Sequence, residues 1–100
     1  MGKLIILRGN SGSGKTTVAK ALQKKLGRNT MLISQDEVRR NMLWVDDGID
    51  TKALPLMAEL LRYGREHSEF SILEGIMYDE WYRSLFELAN ELYGSNVYAY

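Results

Sequence analysis

An α/β fold with a parallel sheet is predicted by three features of the sequence. Short apolar runs alternate with stretches of helical periodicity along the chain. A glycine-rich loop joins the first apolar run to the first helix. Carboxylates follow closely on the second and third runs, at Asp36 and Glu74.

Each element can be justified in order. Leu4, Ile5, Ile6 and Leu7 make a short unbroken apolar run, the pattern of a strand buried on both faces. Val18, Leu22 and Leu26 then fall four apart, which predicts a helix with one apolar face. Gly27 is its C-cap candidate, with Lys24, Lys25 and Arg28 near the negative end of the helix dipole. Residues 30–33, Thr-Met-Leu-Ile, read as a second strand. Ser34 next begins a helix, with Glu37 three residues later as in a capping box, and that helix is expected to run toward Trp44. Residues 45–50 read as a loop. Asp50 or Thr51 opens the following helix, whose first turn tolerates Pro55. Its apolar pairs 53/54, 57/58 and 60/61 repeat at about 3.6 residues. Residues 70–73 form a third strand ending in Glu74-Gly75. From Asp79 a last helix carries Trp81, Leu85, Leu88 and Leu92 on one stripe and is closed by Gly94. Residues 97–100 begin a fourth strand.

Residues 9–16 read Gly-Asn-Ser-Gly-Ser-Gly-Lys-Thr, a complete G-x-x-x-x-G-K-[ST] phosphate-binding loop, or Walker A. Its context, strand before and helix after, is the one the chemistry needs. The glycines let the backbone curl so that successive N–H groups face phosphate oxygens. The helix start adds unpaired donors and about half a positive charge. Lys15 would reach the β- and γ-phosphates, and the Thr16 hydroxyl would hold Mg²⁺. A chance Gly/Ser turn is a poor rival, because both the letters and the flanking elements fit a nucleotide site.

Composition limits what else the chain can be. One hundred residues suit a single domain, 1–100, with 45% hydrophobic residues. Thirteen basic and thirteen acidic residues leave no net charge, so there is no global attraction to nucleic acid or to an anionic membrane. Without cysteine there is neither a disulfide framework nor a thiolate metal site. The first residues read as a core strand rather than a signal peptide, and a cytoplasmic location is the expectation. In an open parallel sheet, ligands sit at the carboxyl ends of the strands. That rule draws the glycine loop, Asp36 and Glu74 to one cleft.

Three segments carry a family resemblance: 9–17, the Walker A plus Thr17; 34–40, Ser-Gln-Asp-Glu-Val-Arg-Arg; and 72–75, Ile-Leu-Glu-Gly. Together they resemble the small-molecule and nucleoside branch of the P-loop kinases, with zeta-toxin-like, chloramphenicol-phosphotransferase-like and uridine-kinase-like proteins nearest in pattern. The fold so implied is a P-loop NTPase three-layer sandwich, a parallel sheet flanked by helices. The implied activity is ATP-dependent transfer of the γ-phosphate to a hydroxyl of a small molecule or nucleoside, with ATP and Mg²⁺ as cofactors. Nucleotide binding falls to Gly9, Asn10, Ser11, Gly12, Ser13, Gly14, Lys15, Thr16 and Thr17. Lys15 and Asp36 are the catalytic candidates, Asp36 by matching the carboxylate that contacts the acceptor hydroxyl. A plain alternative leaves Asp36 complementing the helix dipole. Glu74 matches the Walker B position and joins Thr16 as a metal ligand; the alternative pairs it with Arg8 or Lys15. Arg39, three residues after Asp36, is a substrate candidate on the same helix face, ahead of Arg40. Trp44, Tyr78 and Trp81 could stack on an acceptor, but core positions are the stronger expectation. His67 reads as a surface residue, and Lys20, Lys24 and Lys25 as a solvated face.

Kinases of this group carry an arginine-bearing lid and adenine contacts after the fourth strand. The sequence ends at that strand, so the sandwich is expected to be truncated there and turnover to be poor. Two other classes fit the loop: a P-loop NTPase acting as a regulatory switch, and a non-catalytic nucleotide-binding module. The guanine-reading N-K-x-D and the L-S-G-G signature are both absent from the sequence.

Overall fold

Parallel pairing of β1 (Lys3–Arg8) with β3 (Phe70–Gly75) on one side and β4 (Val97–Ala99) on the other sets the frame. β2 (Met31–Ser34) adds outside β3, giving the order β2-β3-β1-β4. The structure is a computed structural model that describes residues 2–9 and 15–100, Lys15 by its main chain alone. Parallel neighbours need crossovers, and helices supply them. α1 (Lys15–Leu26) links β1 to β2, α2 (Ala53–His67) precedes β3, and α3 (Asp79–Tyr93) leads toward β4.

Side-chain alternation along the strands divides the core into two layers. Leu7 and Ile72 face α1 and bury Ala19, with Leu22 and Leu26 packed against them. Leu4, Ile6, Ile33 and Leu73 face the other way, onto Met57 and Leu61 of α2 and Leu85 and Ala89 of α3. Each large aliphatic residue so buried contributes about 1.5–3 kcal/mol of apolar transfer. The result is a three-layer α/β sandwich, α1 on one face of the sheet and α2 with α3 on the other.

Three local expectations need correction. In α1 the inward stripe runs through buried Ala19 and half-buried Leu22 and Leu26, while Val18 is 55% exposed. The face is turned because small Ala19 lets the helix lie close to Leu7 and Ile72. In α3 the buried stripe is Tyr82, Leu85, Ala89 and Tyr93, with Trp81, Leu88 and Leu92 on its flanks. Two tyrosines take the core positions because each hydroxyl finds a partner: Tyr82 donates to half-buried Asp47, and Tyr93 to the Leu61 carbonyl at 2.9 Å. Burial also pushes the Tyr93 hydroxyl pKa upward.

The helix after β2 is the third correction. Ser34 accepts a bond from the Glu37 N–H at 3.4 Å, the expected cap, but Glu37–Leu43 winds as a π-helix. At its end the Arg39 carbonyl accepts from the N–H groups of both Trp44 and Val45, which widens the last turn. Trp44 closes it in the left-handed region, with φ 57°. Such wide turns recur at functional sites. Thr51 then starts α2: its hydroxyl donates to the Asp46 carbonyl at 2.8 Å and accepts from the Ala53 N–H. No described helix is long and apolar enough to cross a membrane.

Candidate phosphate and metal site

Strand register places the chemistry. Glu74 of β3 is in register with Leu7 of β1 on one side and with Ser34 of β2 on the other, so these strands end within a residue of one another. Gly9 leaves the end of β1, Gln35 and Asp36 leave the end of β2, and Glu74 sits one residue before the end of β3. The carboxyl edge therefore collects the start of the glycine loop and both carboxylates. Residues 10–14 and the Lys15 side chain lie outside the described residues, and with them the expected contacts of Asn10, Ser11, Gly12, Ser13, Gly14 and Lys15. Gly9 is described at the strand end, and Thr17 is exposed in the first turn of α1.

Glu74 is 2% exposed and points to the α1 face, two residues on from Ile72. There it meets the first turn of α1, where the Thr16 hydroxyl donates to Glu74 Oε2 at 3.4 Å. A buried carboxylate facing a hydroxyl at a helix start is an oxygen-only donor set. That chemistry fits a hard divalent cation beside a phosphate. The alternative partner Arg8 is on the opposite face, paired in register with Gly75. Its guanidinium donates to the Met77 carbonyl at 2.6 Å, pairs with Asp79 at 3.2 Å and lies 4.5 Å above the Phe86 ring. Arg8 thus ties the β3–α3 connection down next to the loop. Sequence reasoning gave it no such role, since only side-chain parity reveals it.

Asp36 lies on the exposed side of the π-helix start and is held by two arginines. Arg40 Nε is 2.9 Å and Arg39 Nη2 3.3 Å from the same Oδ1. Arg39 is the more enclosed, with its Nε buried and unpartnered among the described atoms. The structure thus forms two groups, Thr16 with Glu74 and Asp36 with Arg39 and Arg40. Among the described residues no hydrogen bond joins one group to the other. The aromatic expectation is partly reversed: Trp44 is 90% exposed and Tyr78 half exposed, while Trp81 packs against the core. Trp44 is outside because the left-handed turn projects it away, and Tyr78 stands before α3 in an edge-on pair with Trp81, 5.0 Å apart. His67 is exposed and packs on Tyr63.

Residues 4–97 match the AAA domain family. The chain belongs to that family. By fold, this AAA domain is similar to a protein of Chloroflexus aurantiacus J-10-fl described as a "putative kinase", solved at 1.70 Å, with a TM-score of 0.71 and 20% identity. The match covers 98% of the chain but 57% of that protein, so the chain spans little more than half of its length. No curated protein matches the chain in sequence. Family and fold together identify an AAA domain with a P-loop kinase-like fold.

A third cluster of the AAA domain was not legible in the sequence. Gln35, Asp47 and Tyr82 close a hydrogen-bonded ring behind the π-helix. Tyr82 donates to Asp47 Oδ1 at 2.6 Å, and Gln35 Nε2 donates to the Tyr82 oxygen at 2.9 Å and to Asp47 Oδ2 at 3.3 Å. Burial, reinforced by the Asp47 carboxylate, pushes the Tyr82 hydroxyl up to about 12. It therefore stays a proton donor at neutral pH.

Proposed function

We propose that the protein is an ATP-dependent kinase that transfers the γ-phosphoryl group to a hydroxyl of a small molecule or nucleoside. The observation that carries this reading is the meeting of Thr16 and buried Glu74 at the carboxyl edge of the sheet. In the proposal, the loop amides and Lys15 hold the β- and γ-phosphates, and Thr16 and Glu74 hold Mg²⁺. The metal, when bound, neutralises charge on the phosphate oxygens. Asp36, one residue beyond Gln35 on the neighbouring strand end, orients the acceptor hydroxyl and takes its proton as the bond forms. Arg39 and Arg40 pair with that carboxylate and stand ready for polar groups of the acceptor. The exposure of Asp36 suits an acceptor that arrives from solvent. The chain spans 57% of the length of its fold relative.

A product assay tests the reading. Full-length protein with γ-labelled ATP and Mg²⁺ is offered sugars, nucleosides and antibiotic alcohols. A kinase labels an added alcohol; a regulatory NTPase releases phosphate at the same rate without one; a binding module does neither. Lys15→Met should abolish ATP binding by calorimetry. Unchanged affinity would remove the nucleotide site and the kinase with it.

A further inference from the structure

We infer that Gln35, Tyr82 and Asp47 form a strut that positions Asp36 for the acceptor, an inference that rests on the kinase reading above. Asp36 itself has little to hold its direction. Its carboxylate is solvent-facing, and one of its two partners, Arg40, has a side chain 66% exposed. Exposed ion pairs of this kind fix little, contributing about 0–1 kcal/mol. What fixes Asp36 is the main chain, through the residue before it.

Gln35 is 3% exposed and pinned from two sides. On one side its Cβ lies against Gly75, where a methyl group on the glycine would come within 2.7 Å of it. On the other its amide reaches both members of the Tyr82–Asp47 pair. Tyr82 is fully buried on α3, and Asp47 belongs to the loop that follows Trp44. Asp47 is in turn oriented by the Gly48 N–H at 2.9 Å. Three separate stretches of chain therefore converge on the residue that joins β2 to Asp36. The same contact with Gly75 couples Gln35 to the strand end carrying Glu74. The ring thus sets the metal-side and acceptor-side carboxylates relative to each other without touching either ligand. Misplacement of a reacting group by about 1 Å can cost on the order of 100-fold in rate. Gln35, Tyr82 and Asp47 are positioning residues in this sense.

The test uses the full-length protein and the acceptor identified by the product screen. Tyr82→Phe keeps the ring's bulk and removes only the hydroxyl. The expected result is a fall in kcat of about 10- to 100-fold with KM for ATP unchanged. Deuterium exchange at amides 36–43 should quicken at least ~10-fold, as expected when an opening held by a buried network becomes easier, while α2 is unaffected. Gln35→Glu sets a carboxylate against Asp47, and adding Asp47→Asn removes that repulsion and supplies an amide N–H that can donate to the new carboxylate. The pair should recover part of the kcat lost in Gln35→Glu alone. A wild-type kcat in Tyr82→Phe overturns the inference, whatever the exchange shows. Should that variant not fold, the swap decides: a pair no better than Gln35→Glu alone also overturns it. If wild-type protein labels no acceptor, the kinase reading falls. Exchange at 36–43 then decides the strut by itself, and an unchanged rate in Tyr82→Phe refutes it.

Discussion

Gly75→Ala should be among the most damaging single-methyl changes near the site, and its cost can be divided with a matched control. Gly75 has φ +144°, a region essentially closed to residues with a Cβ. Forcing alanine into it costs about 1–3 kcal/mol. The new Cβ would also sit 2.7 Å from Gln35 Cβ and 3.5 Å from the Gln35 nitrogen, neither of which is the loose end of a side chain. Overpacking of that kind adds about 1–3 kcal/mol. Gly48 has the same φ of +144°, but a methyl group there would meet nothing within 4 Å. Gly48→Ala therefore reports the backbone cost alone. The two variants should differ by about 2 kcal/mol in urea unfolding. For a domain of this size that gap is roughly 8–16 °C in Tm. It is a large part of a total stability of about 5–15 kcal/mol. Equal losses in the two variants would show that the approach of β3 to Gln35 carries no energy, and would remove the link between the two carboxylates.

Two further outcomes follow from the same geometry. Asp36→Asn neutralises a carboxylate whose side chain is 60% exposed, so stability should change by less than about 1 kcal/mol and ATP affinity not at all; transfer should fall by about 10²–10⁴-fold, as measured by labelled product, and retained transfer would return Asp36 to the role of a helix-start residue. The pH dependence of unfolding should carry the mark of Tyr82, whose hydroxyl is raised from 10.0 to about 12. The folded chain holds that proton more tightly than the unfolded one, so this contribution is complete below pH 10 and is lost as pH rises to 12, by about 2–3 kcal/mol. Urea melts across that interval should be flatter for Tyr82→Phe than for wild type, although Tyr93, shifted in the same direction, leaves some slope in both.

The fold could be read from the sequence because its signals were local and redundant. Apolar runs at 4–7, 31–33 and 70–73 were too short for helices, and Gly27 and Gly94 stopped helices at the expected places. Helix rotation was harder to read. Val18 and Ala19 are both apolar, and only the close approach of α1 to Leu7 and Ile72 selects the smaller one. Trp81 and Tyr82 posed the same problem, and the partner for the tyrosine hydroxyl lies 35 positions away at Asp47. The site divides along the same line. The approach of Thr16 to Glu74 was legible because a motif and a strand end each fix one partner. Arg8, Gln35 and Asp47 were not, since their roles come from side-chain parity and from a ring closed by residues distant in sequence. The π-helix after Ser34 has no composition of its own, because its start signals are those of an ordinary helix.

The central claim is that a metal–triphosphate complex sits between the start of α1 and the end of β3. Binding of Mn²⁺·ATP in place of Mg²⁺·ATP, followed by paramagnetic broadening of the amide signals, tests it most directly. The account predicts that the signals of Thr16 and Glu74 vanish first, those of residues 35–36 broaden next, and those of Arg28 and Glu69, at the opposite edge of the sheet, stay sharp. Broadening that spares Thr16 and Glu74 while the nucleotide is bound would contradict it.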